Sequence, residues 1–315
     1  MHSPAVHRGL IVPRLVAAEG TKAAKRFVEF FAATIRNRNT RAAYVQAVGQ
    51  FFGWCEERKF RSLDQIEPLV VAAYIEQHRG STPTVKQHLA AIRRLFDWLV
   101  TGQIIPHNPV ASVRGPTHTV RRGKTPVLSA DEARRLLDSI DVSTIIGLRD
   151  RALIGVMIYS FARVSATVGL RAEDYYAEKK RWWLRLHEKG GKRHEVPAHH
   201  NAEQFLDEYL TAAGISADKT TPLFRTIDRH GMLTTEQMSR SDALRMIKRR
   251  CRRVGLSAAT CCHSFRATGI TVFLDNGGTI EAAQRIAAHE SPRTTKLYDR
   301  TSDEITLDEI EKIVV

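Results

Sequence analysis

Apolar residues recur at helical spacing through the first third of this chain. The spacing predicts four helices, over residues Thr21 to Arg36, Thr40 to Arg58, Glu67 to Arg79 and Thr82 to Thr101. The fourth is the clearest, because Thr82 can cap it, Pro83 fits its first turn and Gly102 follows its last apolar residue. Residues 1 to 20 lack such periodicity and are expected to form a flexible N-terminal arm.

The pattern changes after a segment rich in basic residues, proline and glycine. Residues 113 to 127 are predicted to be an interdomain linker. Beyond it, Ser129 and Glu132 form a capping box, and the stretch from Ile145 to Ser160 is apolar enough for a buried helix. Further helices are predicted at residues 201 to 213, 236 to 253, 263 to 275, 280 to 288 and 293 to 298.

One segment alternates between apolar and polar residues in the manner of a strand. Trp182, Leu184 and Leu186 fall on one face of residues 181 to 187, and the sequence Lys189-Gly-Gly predicts a hairpin turn. The chain is therefore expected to be mainly α-helical, with one small antiparallel sheet in its second half.

Length and charge narrow the class of protein. A chain of 315 residues exceeds one typical core, which predicts two domains. Its 48 Lys and Arg residues outnumber 34 acidic residues, for a net charge of +14 spread along the sequence. This excess favours a polyanionic partner, most simply nucleic acid, although charge alone does not separate DNA from RNA or an acidic membrane.

The four cysteines and the apolar runs bear on location. The cysteines show neither disulfide-framework nor zinc spacing and are expected to be reduced thiols. No apolar run reaches the roughly 18 residues that span a bilayer, and the N-terminus lacks a hydrophobic signal core. We expect a soluble cytoplasmic protein that has no membrane partner.

Basic residues outside the apolar stripes are candidate contacts to a phosphate backbone. In the predicted first domain they are Arg79, Lys86, Arg93 and Arg94. In the linker they are Arg121, Arg122 and Lys124. In the helix at 236 to 253 they are Arg245, Lys248, Arg249, Arg252 and Arg253. Like charges one turn apart cost a few tenths of a kcal/mol per pair unless an anion relieves them. The alternative is a set of solvated helix faces.

Near the C-terminus, two residue pairs suggest phosphate chemistry. His263 and Arg266 are three residues apart, so in a helix they share a face and can converge on one anion. Tyr298 follows His289 by nine residues and is a candidate nucleophile, although a phenol with a pKa near about 10 needs help to ionise. The alternatives are a solvated helix face and a tyrosine used only for packing.

Upstream residues supply what such a site would still need. Arg163 follows the apolar helix, and its guanidinium could grip two phosphate oxygens or form a structural salt bridge. Lys189, at the predicted hairpin tip, could protonate a leaving 5′ oxygen or be merely exposed. His263 and His289 could hydrogen-bond the phosphate or carry the tyrosine proton, or could be ordinary core or surface histidines.

The full set resembles the tyrosine recombinase family, also called the phage integrase family, over about residues 38 to 300. The resemblance lies in the order and spacing of Arg163, Lys189, His263, Arg266, His289 and Tyr298. It implies the compact two-domain Xer-like and Cre-like type: a SAM-like helical core-binding domain at 21 to 112 and a mixed α/β catalytic domain at 128 to 300. Residues 301 to 315 would form a tail helix for protomer contact.

The resemblance also implies an activity. Such an enzyme would act as a site-specific recombinase that cleaves and rejoins DNA through a 3′-phosphotyrosine and a Holliday junction, in integration, excision or resolution. It would need no metal and no cofactor. Its partners would be double-stranded DNA with an inverted-repeat core site, a homotetramer of two dimers in synapsis, and accessory recombination factors. It would be associated with the nucleoid and encoded by a bacterium or a mobile element.

The sequence departs from the family at two positions. Ala166 stands where members usually carry an acid that would support Arg163 or a neighbouring histidine, which leaves two alternatives: a weaker activity, or Glu173 or Asp174 in place of that acid. Ala288 stands where they usually have glycine before the second histidine. The N-terminal arm is too short for a separate arm-site domain. Two alternative functions are a type IB-like topoisomerase and an inactive DNA-binding protein of the same fold.

The last fifteen residues carry an amphipathic pattern. One side of the predicted tail helix holds Leu307, Ile310, Ile313 and Val314, and the other is acidic. A helix this short is marginal alone and needs a surface to pack on. The family resemblance implies that it docks on a neighbouring catalytic domain; the alternative is packing on its own domain.

Overall fold

The computed structural model describes residues 10–117, 123, 125–188, 191–215 and 219–299. The chain divides into two compact units, Met1–Thr119 and Val120–Val315. This division falls within the basic segment 113 to 127. The described α-helices of the first unit are α1 (Arg14–Ala18), α2 (Thr21–Glu29), α3 (Arg38–Glu57), α4 (Pro68–Glu76) and α5 (Thr82–Thr101).

All four helices predicted for the first unit are present, with changes at their ends. A π-helical turn, Phe30–Thr34, continues α2. Helix α5 has Ser81 rather than Thr82 at its N-cap, and no side chain caps its backbone. The expected capping role of Thr82 is therefore wrong. The unit is held together by a buried core to which α2, α3 and α5 contribute aromatic rings, among them Phe27, which lies edge-on to Phe52, and Phe96, which is stacked on Phe52.

The expectation of a flexible arm is wrong for residues 10 to 20. They contain α1, and its Leu15 and Val16 are fully buried in the core of the first unit. A five-residue helix is too short to show a hydrophobic period, so the sequence pattern could not reveal it. Residues 1 to 9 lie outside the described part of the chain.

The second unit is a mixed α/β structure. Its described α-helices and strands, in chain order, are α6 (Ala130–Asp138), α7 (Ile145–Tyr159), α8 (Val164–Val168), β1 (Tyr175–Glu178), β2 (Arg181–His187), β3 (Arg193–Pro197), α9 (His200–Ala213), β4 (Arg225–Ile227), β5 (Leu233–Gln237), α10 (Arg240–Arg253), α11 (Cys262–Asp275), α12 (Ile280–Ile286) and α13 (Pro292–Lys296). The predicted capping box of Ser129 and Glu132 begins α6 and is confirmed.

The predicted hairpin is confirmed, as two strands of a three-stranded antiparallel sheet in the order β1-β2-β3. Leu184 and Leu186 point into the core, as their alternation indicated. The described residues also contain a second antiparallel sheet, β4 and β5, so the expectation of a single sheet was incomplete. Its short strands are largely polar and lack an apolar period. The helix predicted from residue 236 begins later, after its N-cap Ser239, because residues 236 and 237 belong to strand β5.

Helices α7 and α11 cross closely at the centre of the second unit. Gly269 of α11 makes this possible, because a Cβ there would lie 2.1 Å from the carbonyl oxygen of Ile158. The crossing brings the residues after α7 against the first turn of α11, where two candidate catalytic residues lie. Within the described residues, no helix has both the length and the hydropathy needed to cross a bilayer.

Candidate active site

Arg266 lies at the buried centre of the site. It is 1% exposed, and its guanidinium donates to the carbonyl oxygens of Phe161 and of Ala287, the latter at 2.6 Å. Its Nε has no hydrogen-bond partner among the described residues. Burial, reinforced by the charge of Arg163, lowers the pKa of Arg266 to about 10, so it stays charged at neutral pH. A buried cation with an unused donor is suited to bind an anion.

Arg163 stands at the N-cap of α8, two residues after Phe161, whose φ is +53°. Its guanidinium donates to the carboxylate of Glu188. The Arg163 side chain is 33% exposed and that of Glu188 is 4% exposed. The salt bridge considered from the sequence therefore exists, yet a third of the Arg163 side chain remains exposed. The charge of Arg163 lowers the pKa values of Arg266, His263 and His289, which places the two arginines in one electrostatic environment.

Tyr298 and His263 form the key contact of the site. Tyr298 Oη lies 2.7 Å from His263 Nε2. Burial raises the pKa of Tyr298, opposed by the charges of Arg266 and Arg163, so the phenol is protonated at neutral pH. Loss of water around the His263 ring, together with the charges of Arg266 and Arg163, lowers the pKa of that histidine. In the neutral tautomer that carries its proton on Nδ1, the phenol donates its hydrogen bond to Nε2.

His289 packs flat against the nucleophile candidate. Its ring is stacked on that of Tyr298, with centroids 5.8 Å apart and planes 7° apart. Nδ1 lies 2.9 Å from the hydroxyl of Thr295, which is fully buried. Burial and the charges of Arg266 and Arg163 lower the pKa of His289 to about 3, so the ring is neutral at any working pH. Nothing within the described residues hydrogen-bonds its Nε2.

The backbone around Tyr298 is tied down on both sides. The hydroxyl of Thr271, on α11, donates to the Tyr298 carbonyl oxygen at 2.9 Å. The N–H of Gly123 donates to the carbonyl oxygen of Leu297 at 3.0 Å. Tyr298 itself ends a short turn after α13, where its N–H donates to the Thr295 carbonyl. These bonds hold the phenol at α11 rather than leaving it on a loose C-terminal segment.

The structure brings five of the six predicted catalytic residues together: Arg163, His263, Arg266, His289 and Tyr298. Lys189 lies outside the described residues. The five combine two fixed positive charges with two neutral imidazoles and a phenol. Such a pocket can neutralise the non-bridging oxygens of a phosphodiester and accept a proton from the phenol. No group of three or more potential metal ligands occurs in the part of the chain that the structure describes.

Glu188 was missed by the sequence analysis, which offered Glu173 or Asp174 as one alternative for the absent acid at Ala166. Neither residue takes that place. Glu173 is exposed, and Asp174 accepts from the Arg171 N–H and lies 3.2 Å from His187 Nε2. The signal for Glu188 was present in the alternation of β2, because it continues the inward-facing series of Leu184 and Leu186 past the end of the strand.

The candidate DNA contacts of the first unit divide into two groups. Arg79, Lys86 and Arg94 are exposed, as expected. Arg93 is not: its guanidinium donates to the carbonyl oxygens of Val110 and Val113, at 3.3 and 2.6 Å. The expectation that Arg93 faces solvent is therefore wrong, and the residue holds the segment that follows α5. DNA contact by the exposed residues remains a prediction.

In α10, the predicted basic line is partly compensated. Arg245 pairs with Asp242, Arg249 lies 3.4 Å from Asp150, and Lys248 donates to a backbone carbonyl. Arg252 and Arg253 are exposed and form no ion pair with any described residue. The linker candidates Arg121, Arg122 and Lys124 lie outside the described residues. A role for any of them in DNA binding remains a prediction.

Family profiles match both units. The profile described as "Phage integrase family" matches residues 126–304, and "Phage integrase, N-terminal SAM-like domain" matches residues 24–103. The tyrosine recombinase XerD of Corynebacterium glutamicum is 28% identical over 288 residues, covering 87% of this chain and 90% of that protein. XerD of Listeria monocytogenes is 24% identical over 266 residues, covering 82% of this chain and 87% of that protein.

Solved structures show the same fold. The XerH site-specific recombinase bound to its difH substrate in a pre-cleavage complex superposes with a TM-score of 0.67 at 16% identity, over 96% of this chain and 97% of that one. A lambda integrase tetramer bound to a Holliday junction gives a TM-score of 0.68 at 18% identity, over 90% and 78% of the two chains. These relatives favour neither a topoisomerase nor an inactive DNA-binding protein.

Proposed function

Because this chain belongs to the phage integrase family and is a tyrosine-type site-specific recombinase, we propose that Tyr298 is its nucleophile and forms a 3′-phosphotyrosine with DNA. The observation that carries this assignment is the 2.7 Å contact between Tyr298 Oη and His263 Nε2. Attack by the phenol breaks the bond to the 5′ oxygen and leaves a free 5′ hydroxyl. Reversal of the step by a second 5′ hydroxyl rejoins the strand.

The neighbouring side chains divide the work of this step. Arg163 and Arg266 neutralise the non-bridging oxygens, since fixed guanidinium donors stabilise charge that develops in the transition state. His263 Nε2 accepts the phenolic proton as attack begins. His289 stays neutral, keeps the phenol ring in place by stacking, and has Nε2 free to donate to a phosphate oxygen.

Lys189 is the proposed general acid for the leaving 5′ oxygen. The proposal rests on the family resemblance and on its place directly after Glu188, whose carboxylate is bonded to Arg163. A lysine ammonium group can give up a proton without a metal ion. No metal and no cofactor are required, because the phosphotyrosine conserves the energy of the broken bond for rejoining.

The proposed substrate is duplex DNA with an inverted-repeat core site, bound by the core-binding unit at 21 to 112 and the catalytic unit at 128 to 300. The proposed active assembly is a homotetramer, supported by the lambda integrase tetramer that shares this fold. Accessory recombination factors are proposed as further partners. Since the similar recombinases are bacterial, we place the enzyme at the nucleoid in a bacterial cytoplasm.

The tail, residues 301 to 315, is the proposed contact between protomers; it lies outside the described residues. A groove of about 940 Å³ on the catalytic unit supports the proposal. Its lining includes Leu137, Phe205 and Phe273, which suit the apolar side of the tail, and Arg134, which suits its acidic side. The proposed occupant is the tail of a neighbouring protomer.

Replacing Tyr298 with Phe tests the proposed nucleophile. The change removes one oxygen, so DNA binding should be near normal while covalent attachment to a nicked target site is lost. Tyr159→Phe is the matched control, because its hydroxyl accepts from Asn201 outside the site, and this variant should still form the adduct. Denaturing gels of protein trapped on the nicked site distinguish the two. An adduct that persists in Tyr298→Phe would rule out Tyr298.

A further inference from the structure

The catalytic unit carries an unusual arrangement of acids around Arg163. Position 166, three residues along α8, is an alanine whose side chain is fully buried and carries no charge. The anion that faces Arg163 instead comes from 25 residues further along the chain, where Glu188 follows the last residue of β2. Burying a carboxylate costs free energy unless it is paired with a cation, so the folded site depends on the pair of Glu188 and Arg163.

Glu188 is held rigidly by its own backbone. Its N–H donates to the carbonyl oxygen of Lys192 at 2.8 Å, and its carbonyl accepts from the N–H of Gly191 at 3.3 Å. These two bonds continue the ladder that ends with His187 facing Arg193. The backbone from which the Glu188 side chain extends is therefore held in place. Its carboxylate in turn restrains the Arg163 guanidinium to which it is bonded.

The charge of Glu188 also acts on the second arginine. Burial, and after it repulsion by the charge of Arg163, lowers the pKa of Arg266, and the charge of Glu188 opposes that fall. Two guanidinium groups that must share one phosphate are therefore kept together by an acid before any DNA binds. Without that acid, Arg163 would be free to turn towards solvent, since a third of its side chain is already exposed.

We propose that Glu188 is a positioning residue that aligns Arg163 for phosphate binding and takes over the role left open by Ala166. It also links two parts of the site, because it is bonded to Arg163 through its side chain and precedes Lys189 in the chain. The inference rests on the proposed function, since it assumes that Arg163 binds the phosphate.

The test compares Glu188→Gln with a matched variant of the same hairpin. Glu195→Gln also removes a carboxylate bonded to an arginine, Arg185 at 2.9 Å, but on an exposed face. Single-turnover cleavage of a nicked site at saturating DNA should slow roughly 10- to 100-fold in Glu188→Gln and stay at the wild-type rate in Glu195→Gln. Half-site affinity and unfolding temperature, measured alongside, should change little in either.

A double variant separates positioning from a general loss of structure. Arg163→Lys keeps the charge but loses the guanidinium fork, and should itself be slow. If Glu188 acts through Arg163, adding Glu188→Gln to Arg163→Lys should cause little further loss. Losses that multiply, or wild-type cleavage by Glu188→Gln, would overturn the proposal. Wild-type cleavage by Arg163→Lys would instead overturn the proposed role of Arg163, which keeps the two failures distinct.

Folding of the variants is checked by thermal unfolding. Where Glu188→Gln does not fold, Glu188→Asp takes its place, because it keeps the charge but draws the carboxylate back from Arg163. A displacement of about 1 Å in a positioning group can slow catalysis on the order of 100-fold. The proposal is supported if Glu188→Asp slows cleavage by itself but adds little further loss in the presence of Arg163→Lys. Unchanged cleavage by a folded Glu188→Asp overturns it.

Discussion

Ala288 adopts a conformation that favours glycine. Its φ is +47°, at the turn that leads from α12 to His289. Occupying this left-handed region costs a residue with a Cβ atom about 1–2 kcal/mol of conformational free energy, a cost that glycine avoids. The glycine that this family usually has here would therefore relieve strain next to a catalytic histidine.

We expect Ala288→Gly to raise the free energy of unfolding by about 0.5–1 kcal/mol, because relief of strain exceeds the greater freedom of glycine in the unfolded chain. Ala287→Gly is the control, since its φ of −79° is ordinary and its methyl group is buried; it should lower stability. Urea unfolding measures both. A stability change of the same sign in the two variants would contradict the argument.

The pH dependence of cleavage reports on His263. Its pKa is lowered from 6.5, so the neutral form that accepts the phenolic proton persists through neutral pH. Cleavage should be flat there and fall only as the pH drops below about 6.5 towards the lowered pKa.

In His263→Ala the phenol must ionise unaided, and its pKa is raised. The rate should then be low and rise about tenfold per pH unit across the neutral range. Single-turnover cleavage of a nicked site, followed from about pH 5 to about pH 9, measures both profiles. A flat profile in the alanine variant would show that another group takes the proton.

At the scale of elements, the crossing of α7 and α11 sets the geometry of the site. Gly269 allows the two backbones to touch, and Arg266 lies one turn before it on α11. The carbonyl oxygen of Phe161, which accepts from Arg266, lies just beyond the end of α7. The packing of these two helices thus decides where Arg266 points.

Gly269→Ala should lower the free energy of unfolding by about 1–3 kcal/mol or more, because its methyl group would collide with the backbone carbonyl oxygen of Ile158 as well as with the ring of Phe161. The control is Gly49→Ala in α3, where nothing lies within 4 Å of the added Cβ. That variant should gain about 0.5–1 kcal/mol from helix propensity. Chemical denaturation compares them, and equal stabilities would disprove the close approach.

Several elements were predictable from sequence for a local reason. Helices α3 and α5 carry an apolar period, α7 is largely apolar along its length, and the β2–β3 hairpin has alternation and turn residues within a few positions. Helix α1 and strands β4 and β5 are short and lack a period, so the sequence pattern did not reveal them. They are specified by the surfaces on which they pack.

At the scale of the whole molecule, the net charge of +14 dominates. If the basic side chains contact the DNA backbone, binding should weaken as salt is added. A plot of the logarithm of the association constant against the logarithm of the salt concentration should be linear, with a slope of about −0.9 per phosphate neutralised. Fluorescence anisotropy of a labelled half-site measures the slope.

Two adjacent arginines make this prediction specific. Arg94 is exposed, so Arg94→Gln should weaken binding and reduce the magnitude of the slope by about 0.9 if it meets a phosphate. Arg93 holds the carbonyl oxygens of Val110 and Val113, so Arg93→Gln should chiefly lower the unfolding temperature. The reverse pattern would assign the DNA contact to Arg93.

By itself, the sequence determined the fold class, the two-unit organisation that matches the family and the order of the candidate catalytic residues. These follow from apolar periods and from motifs such as His263-x-x-Arg266, which are properties of neighbouring positions. The tertiary structure alone decided that Glu188 supplies the acid missing at Ala166, that Arg93 is a structural anchor, and that Tyr298 meets His263. Each of these is a pairing of groups distant in the chain, and packing rather than spacing selects such partners.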